Sequence, residues 1–122
     1  MSKKSEEFFR TMLEFLPSTN EKYEEFLEKH GELLETVVIE DVFMPEIIKM
    51  LEKNENKELL ERVFKYFEEV SNCNEEHLIN IFSTTVLEVL GNDITVLKTA
   101  QNYMGDKTMK LQIESDRDLG RI

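Results

Sequence analysis

Residues 74–91, NEEHLINIFSTTVLEVLG, decide the fold. Leu78, Ile81, Phe82, Thr85, Val86, Val89 and Leu90 follow the i, i+3, i+4, i+7 spacing that places side chains on one face of a helix. Ile79 and Leu87 widen that face, and His77, Asn80, Thr84 and Glu88 leave only a narrow polar strip. A helix apolar over most of its circumference has to be covered on two or more sides. The stretch therefore reads as the central helix of a helical domain. Asn74 is placed to cap it, Glu75 and Glu76 suit the positive end of its dipole, and Gly91 can stop it in a left-handed conformation.

Outward from this helix the same period recurs. Residues 5–16 (SEEFFRTMLEFL) form a first amphipathic helix ended by Pro17. Ser18-Thr19-Asn20-Glu21 has the S-x-x-E form of a capping box. It opens a helix to about Lys29 or His30, stopped by Gly31, with a thin apolar stripe of Tyr23, Phe26 and Leu27. Residues 33–53 are ambiguous, because Thr36, Val37, Val38 and Ile39 are β-branched and suit a strand. No second strand-like run exists to pair with them, and Leu34, Val37, Val38, Val42, Ile47, Ile48 and Leu51 fit a helix. Pro45 disturbs it, predicting a kink or two helices meeting near Phe43 and Met44.

After the linker Asn54-Glu55-Asn56, residues 57–70 give a regular helix with Leu59, Leu60, Val63, Phe64, Phe67 and Val70 inward. Glu58–Arg62 and Glu61–Lys65 are acid-before-base pairs on its outer side. Beyond the central helix, residues 94–104 form another, begun by Asn92 or Asp93 and stopped by Gly105. A short turn or helix is expected around 107–113, and residues 114–122 (ESDRDLGRI) as a weakly ordered tail. The sum is a single all-α domain over residues 1–122 with about six helices. Its architecture is a compact right-handed stack of antiparallel helix hairpins, armadillo- or HEAT-like, or an irregular helical bundle.

The chain has 122 residues, 15 basic against 26 acidic, and a formal charge of −11. That field repels phosphate backbones and anionic membranes, so neither nucleic acid nor membrane is expected as a partner. The single Cys73 forms no internal bridge, and no run reaches the length of a membrane span, which reads as a soluble, cytoplasmic protein.

Catalytic signatures are thin. Cys73-x3-His77 places a thiol and an imidazole near a helix start, but a structural zinc site wants four ligands, and the chain has one Cys and two His. Glu40 and Asp41 are adjacent and so diverge around a helix rather than face each other. One is expected to be exposed and the other near the Pro45 disturbance, bonding freed backbone N–H groups. Ser83, Thr84 and Thr85 lack a nucleophile-elbow setting and are expected to bond back to helix carbonyls. No enzyme, metal or cofactor is expected. The Phe and Met residues sit mostly at core positions, the alternative being an exposed groove for a partner helix.

Gly31-Glu32-Leu33-Leu34, the 39–42 stretch with Asp41, the 85–90 segment TVLEVL and the 103–108 segment YMGDKT carry a resemblance. The third is similar to an "FLENL"-type segment. The fourth is similar to a closing "LG-P-x-T"-type turn, with Asp106 at the proline position. Residues 33–105 thus resemble an uncharacterised family of short, acidic, all-helical bacterial proteins. Members of it or of similar families have been proposed as toxin-immunity proteins.

The resemblance implies a non-enzymatic protein-binding domain, an antidote that occludes a basic toxin through acidic helix faces. The acidic surface read from spacing is Glu21, Glu24, Glu25, Glu28 and Glu32. The competing expectation is a self-associating structural or regulatory domain, a homodimer through exposed Phe and Met.

Overall fold

The computed structural model describes residues 2–31 and 34–122. Among these, seven helices and no strand are present. Helix α1 is Lys3–Phe15, and α2 is Asn20–His30 behind the 3₁₀ turn Pro17–Thr19. Helix α3 runs over 35–53, and α4 is Lys57–Ser71. Helix α5 covers 76–90, α6 is Ile94–Gln101 and α7 is Asp106–Asp118. Leu33, at which the third helical segment was expected to begin, lies outside the described residues.

Helix α5 is the covered centre. Leu78, Phe82, Thr85, Val86, Leu87 and Leu90 are buried. Phe82 meets Phe67 of α4 edge-on at 5.2 Å and Phe8 of α1 at 6.5 Å. Helices α3, α6 and α7 close the remaining sides. The aromatic contacts continue through Phe64 to Tyr103, and through Phe9 and Phe43 to Tyr23, so one connected core spans the domain.

Two wide turns interrupt the regular helices, and they pack against one another in the core. The first, Ile39–Phe43, lies where a disturbance was expected and rules out two separate helices: α3 stays continuous, and the Met44 N–H reaches back five residues to the Ile39 carbonyl. Pro45 has no N–H and its ring crowds the carbonyl of Asp41, so widening the preceding turn accommodates it without breaking the helix. The second, Ser83–Leu87, follows from hydroxyl chemistry. Thr85 Oγ1 donates to the Ile81 carbonyl at 2.6 Å and Thr84 Oγ1 to the Asn80 carbonyl at 2.9 Å, competing with the backbone donors of that turn.

The ends correct several expectations. Glu75, not Asn74, caps α5, its side chain accepting from the Leu78 N–H at 2.7 Å. Gly91 is right-handed at φ −79°, so conformation is not its reason. A Cβ there would lie 2.6 Å from Asp116 Oδ1 and 3.2 Å from Gln112 Nε2, so the glycine supplies space for α7. The Ser18–Glu21 capping box does not form, because Pro17 folds these residues into the 3₁₀ turn and Thr19 Oγ1 donates to the Leu16 carbonyl. Helix α1 starts earlier than read, at Lys3, because Ser2 Oγ accepts from the Ser5 N–H. Gly31 does adopt the left-handed conformation, φ 70°. Leu34, placed inward by periodicity, is 36% exposed.

The largest departure is at the C-terminus. Helix α6 ends at Gln101 rather than at Gly105, and Gly105 instead precedes the thirteen-residue α7. Residues 114–118, expected in a weakly ordered tail, are helical, and Asp116 is buried. The buried face of α7 is polar: Thr108, Gln112 and Asp116, spaced i, i+4, i+8. Glu68 of α4 holds its N-terminus, accepting from the N–H groups of Thr108 at 2.8 Å and Lys107 at 3.0 Å and from the Thr108 hydroxyl. Gln112 Nε2 donates to the Leu87 carbonyl at 2.9 Å, and Arg121 to the Glu88 carbonyl at 3.1 Å, satisfying the C-terminal end of α5.

Gly91→Ala is expected to cost about 1–2 kcal/mol, since a methyl group crowds Gln112 and Arg121 off these bonds and presses on Asp116. Thermal unfolding of that variant, beside Gly31→Ala as a strained but uncrowded control, checks the assignment.

Candidate functional site

Helix α2 stands apart from the other helices: none of its side chains is buried. At about 100° per residue, Glu21, Glu24, Glu25 and Glu28 fall in one sector, opposite Tyr23, Phe26 and Leu27. The four carboxylates are exposed, whereas the three apolar side chains are half-buried, Tyr23 and Phe26 packing against the core. Glu32, read as part of the same surface, lies outside the described residues. Lys22 and Lys29 flank the acidic sector on one side.

Two clefts run beside this helix. One, of ≈ 390 Å³, separates α2 from α1 and is lined by Phe9, Leu13 and Tyr23 with Glu6, Arg10 and Glu14 at its edge. The other, of ≈ 440 Å³, lies between α2 and α3 and is lined by Phe26, His30, Val37 and Val42, with Asp41 among the polar residues. His30 packs on Phe26 in a tilted arrangement with ring centroids 4.2 Å apart. Tyr23 is stacked on Phe43, and burial pushes its hydroxyl pKa up. The surface thus combines an acidic ridge with apolar recesses on both flanks. A third groove of ≈ 440 Å³ lies between α5 and α7, with Ile79, Leu111 and Leu119 in its lining and Glu88, Glu114 and Asp118 among its polar residues.

The residues singled out for chemistry are not assembled into one centre. His77 Nε2 lies 3.2 Å from Glu35 Oε1 on α3, while Cys73 Sγ turns to the Glu75 carbonyl at 3.9 Å. Glu40 and Asp41 are both exposed, where one was expected beside the Pro45 disturbance; the wide turn removes the need for that capping. Tyr66 is held protonated, its hydroxyl pushed up to about 12 by burial and by Glu7 and Glu69. Among the described residues no group of three or more His, Cys, Asp and Glu is placed to hold a metal ion. Nor, among them, is any helix long and apolar enough to cross a membrane.

Residues 9–119 match the family described as Domain of unknown function (DUF7674). The chain belongs to the DUF7674 family. No curated protein and no solved structure matches it. The match takes in α2 and, apart from Glu6, the residues lining its two clefts. It also includes Glu68, Thr108, Gln112 and Asp116, the polar attachment of α7 that apolar periodicity could not reveal. The signal available in this DUF7674 sequence was the i, i+4, i+8 run of polar residues at 108, 112 and 116.

Burial alone pushes the Glu68 carboxyl pKa up. The hydrogen bonds from the Thr108 and Lys107 N–H groups, the Thr108 hydroxyl and the Asn72 amide outweigh it, and the net direction is down. In this DUF7674 member the carboxylate is therefore a structural anchor for the start of α7. The remaining large apolar exposures among the described residues, Leu34, Ile94, Ile113, Leu119 and Ile122, include neither Phe nor Met.

Proposed function

We propose that this DUF7674 member is a non-enzymatic binding domain that takes a basic protein partner on the outer face of α2. The partner chemistry fits an immunity-type antidote covering the active site of a toxin. The observation carrying this reading is that Glu21, Glu24, Glu25 and Glu28 share one exposed face, opposite the apolar side chains. None of these four carboxylates is engaged in a side-chain hydrogen bond or ion pair among the described residues. They remain available to an incoming cation, in a molecule of net charge −11 whose field draws basic proteins toward it.

The clefts on either side of α2 offer apolar recesses for anchoring side chains beside the charged ridge, the arrangement in which interface binding energy concentrates. The resemblance to acidic helical proteins proposed as toxin antidotes supports the same reading.

The test is comparative capture from a cell lysate on immobilised protein. The wild type is expected to retain a basic protein that is lost when Glu21, Glu24, Glu25 and Glu28 are all changed to Gln. Equal retention by both, with unchanged folding by circular dichroism, contradicts a role for this face.

A further inference from the structure

We propose that α2 is a detachable cover: residues 20–31 lift from α1 and α3 as a unit while the rest of the fold stays closed. Lifting uncovers an apolar strip that includes Phe9, Leu13, Val42 and Phe43. The inference does not depend on what α2 binds.

Three observations carry it. Helix α2 buries no side chain, whereas α1 buries four and α4 six. Tyr23, Phe26 and Leu27 are its only inward apolar residues, and each stays partly exposed. No side-chain hydrogen bond or ion pair among the described residues ties α2 to another helix, whereas Glu68, Ser71, Gln112 and Arg121 stitch α4, α5 and the C-terminal segment together. Finally, clefts of ≈ 390 and ≈ 440 Å³ already separate it from its neighbours on both sides. Elements with few buried apolar contacts open at the low end of the range of local stabilities within a fold.

The ends of α2 suit such movement. The turn Pro17–Thr19 precedes it, and left-handed Gly31, with nothing within 4 Å of a Cβ, follows it. An eleven-residue helix is marginal on its own in water, so once lifted it unravels and its amides exchange. The central fold is not needed to open for this to happen, because the 76–90 helix is covered by α1, α3, α4, α6 and α7.

Hydrogen exchange on the full chain across low denaturant concentrations tests this. Amides of 24–31 are expected to open at least about 100-fold more often than those of α4, with little dependence on denaturant, the mark of local opening. Tyr23→Ala, which removes the stack on Phe43, is expected to raise the opening of α2 about tenfold further relative to α4. If the 24–31 amides share the opening constant and denaturant slope of α4, or if Tyr23→Ala shifts both helices equally, α2 is an integral part of the fold and the proposal fails.

Discussion

Phe82→Ala is expected to destabilise the domain by about 3–5 kcal/mol, the range for deleting a buried aromatic ring. Phe82 is fully buried and sits where three helices meet, edge-on to Phe67 and to Phe8. Its removal leaves a cavity lined by rings that cannot collapse without moving α1 or α4. It also lies directly before the wide turn Ser83–Leu87, whose hydroxyl bonds fix the local backbone and restrict relaxation. Against a total stability of about 5–15 kcal/mol for a domain, this is a large fraction. Chemical denaturation should show the midpoint falling with an unchanged slope. A loss below about 1 kcal/mol would mean that the site is not enclosed as described.

Glu68→Ala is expected to cost about 2–3 kcal/mol, because one carboxylate serves several donors at the start of α7 and the charged acceptor makes each bond stronger than a neutral one. Two backbone N–H groups and the buried Thr108 hydroxyl lose their acceptor together. The effect depends on pH with a definite sign. The folded Glu68 carboxyl lies below its ordinary value, so its contribution is fully present above the unfolded pKa and is lost as pH falls through the folded one. The gap in stability between wild type and Glu68→Gln should therefore be largest near neutrality and shrink as pH falls below the ordinary carboxylate range. A constant gap between them from pH 3 to 7, measured by urea unfolding, would remove the electrostatic account.

How far the sequence revealed these features depended on whether they were apolar. Helix α5 was legible because its buried face is a nearly unbroken 3.6-residue pattern, and α4 for the same reason. The caps were less so: Asn74 and Glu75 are both competent, and only the backbone decides that Glu75 turns its side chain to the Leu78 N–H. Pro45 announced a disturbance, but whether a helix breaks or widens depends on the tertiary packing of Ile39, Val42 and Phe43, all buried. The full length and buried face of α7, beyond the short turn or helix expected over 107–113, escaped because Thr108, Gln112 and Asp116 give no hydrophobic signal. Their partners, Glu68, Leu87 and Arg121, are distant or local only in three dimensions. The acidic face of α2 was legible from spacing alone, since exposed helix faces need no partner to be predicted. Its looseness was not legible, because a thin stripe of Tyr23, Phe26 and Leu27 reads alike whether it is fully or partly covered.

In the proposed function α2 presents a charged face to a basic partner. The most direct measurement is the association rate of the captured basic protein, by stopped-flow fluorescence, with wild type and with the Glu21→Gln, Glu24→Gln, Glu25→Gln, Glu28→Gln variant. At about 20 mM salt the variant is expected to associate at least about tenfold more slowly, and at about 500 mM the two rates should converge as screening removes the steering field. Equal rates at low salt would contradict the claim.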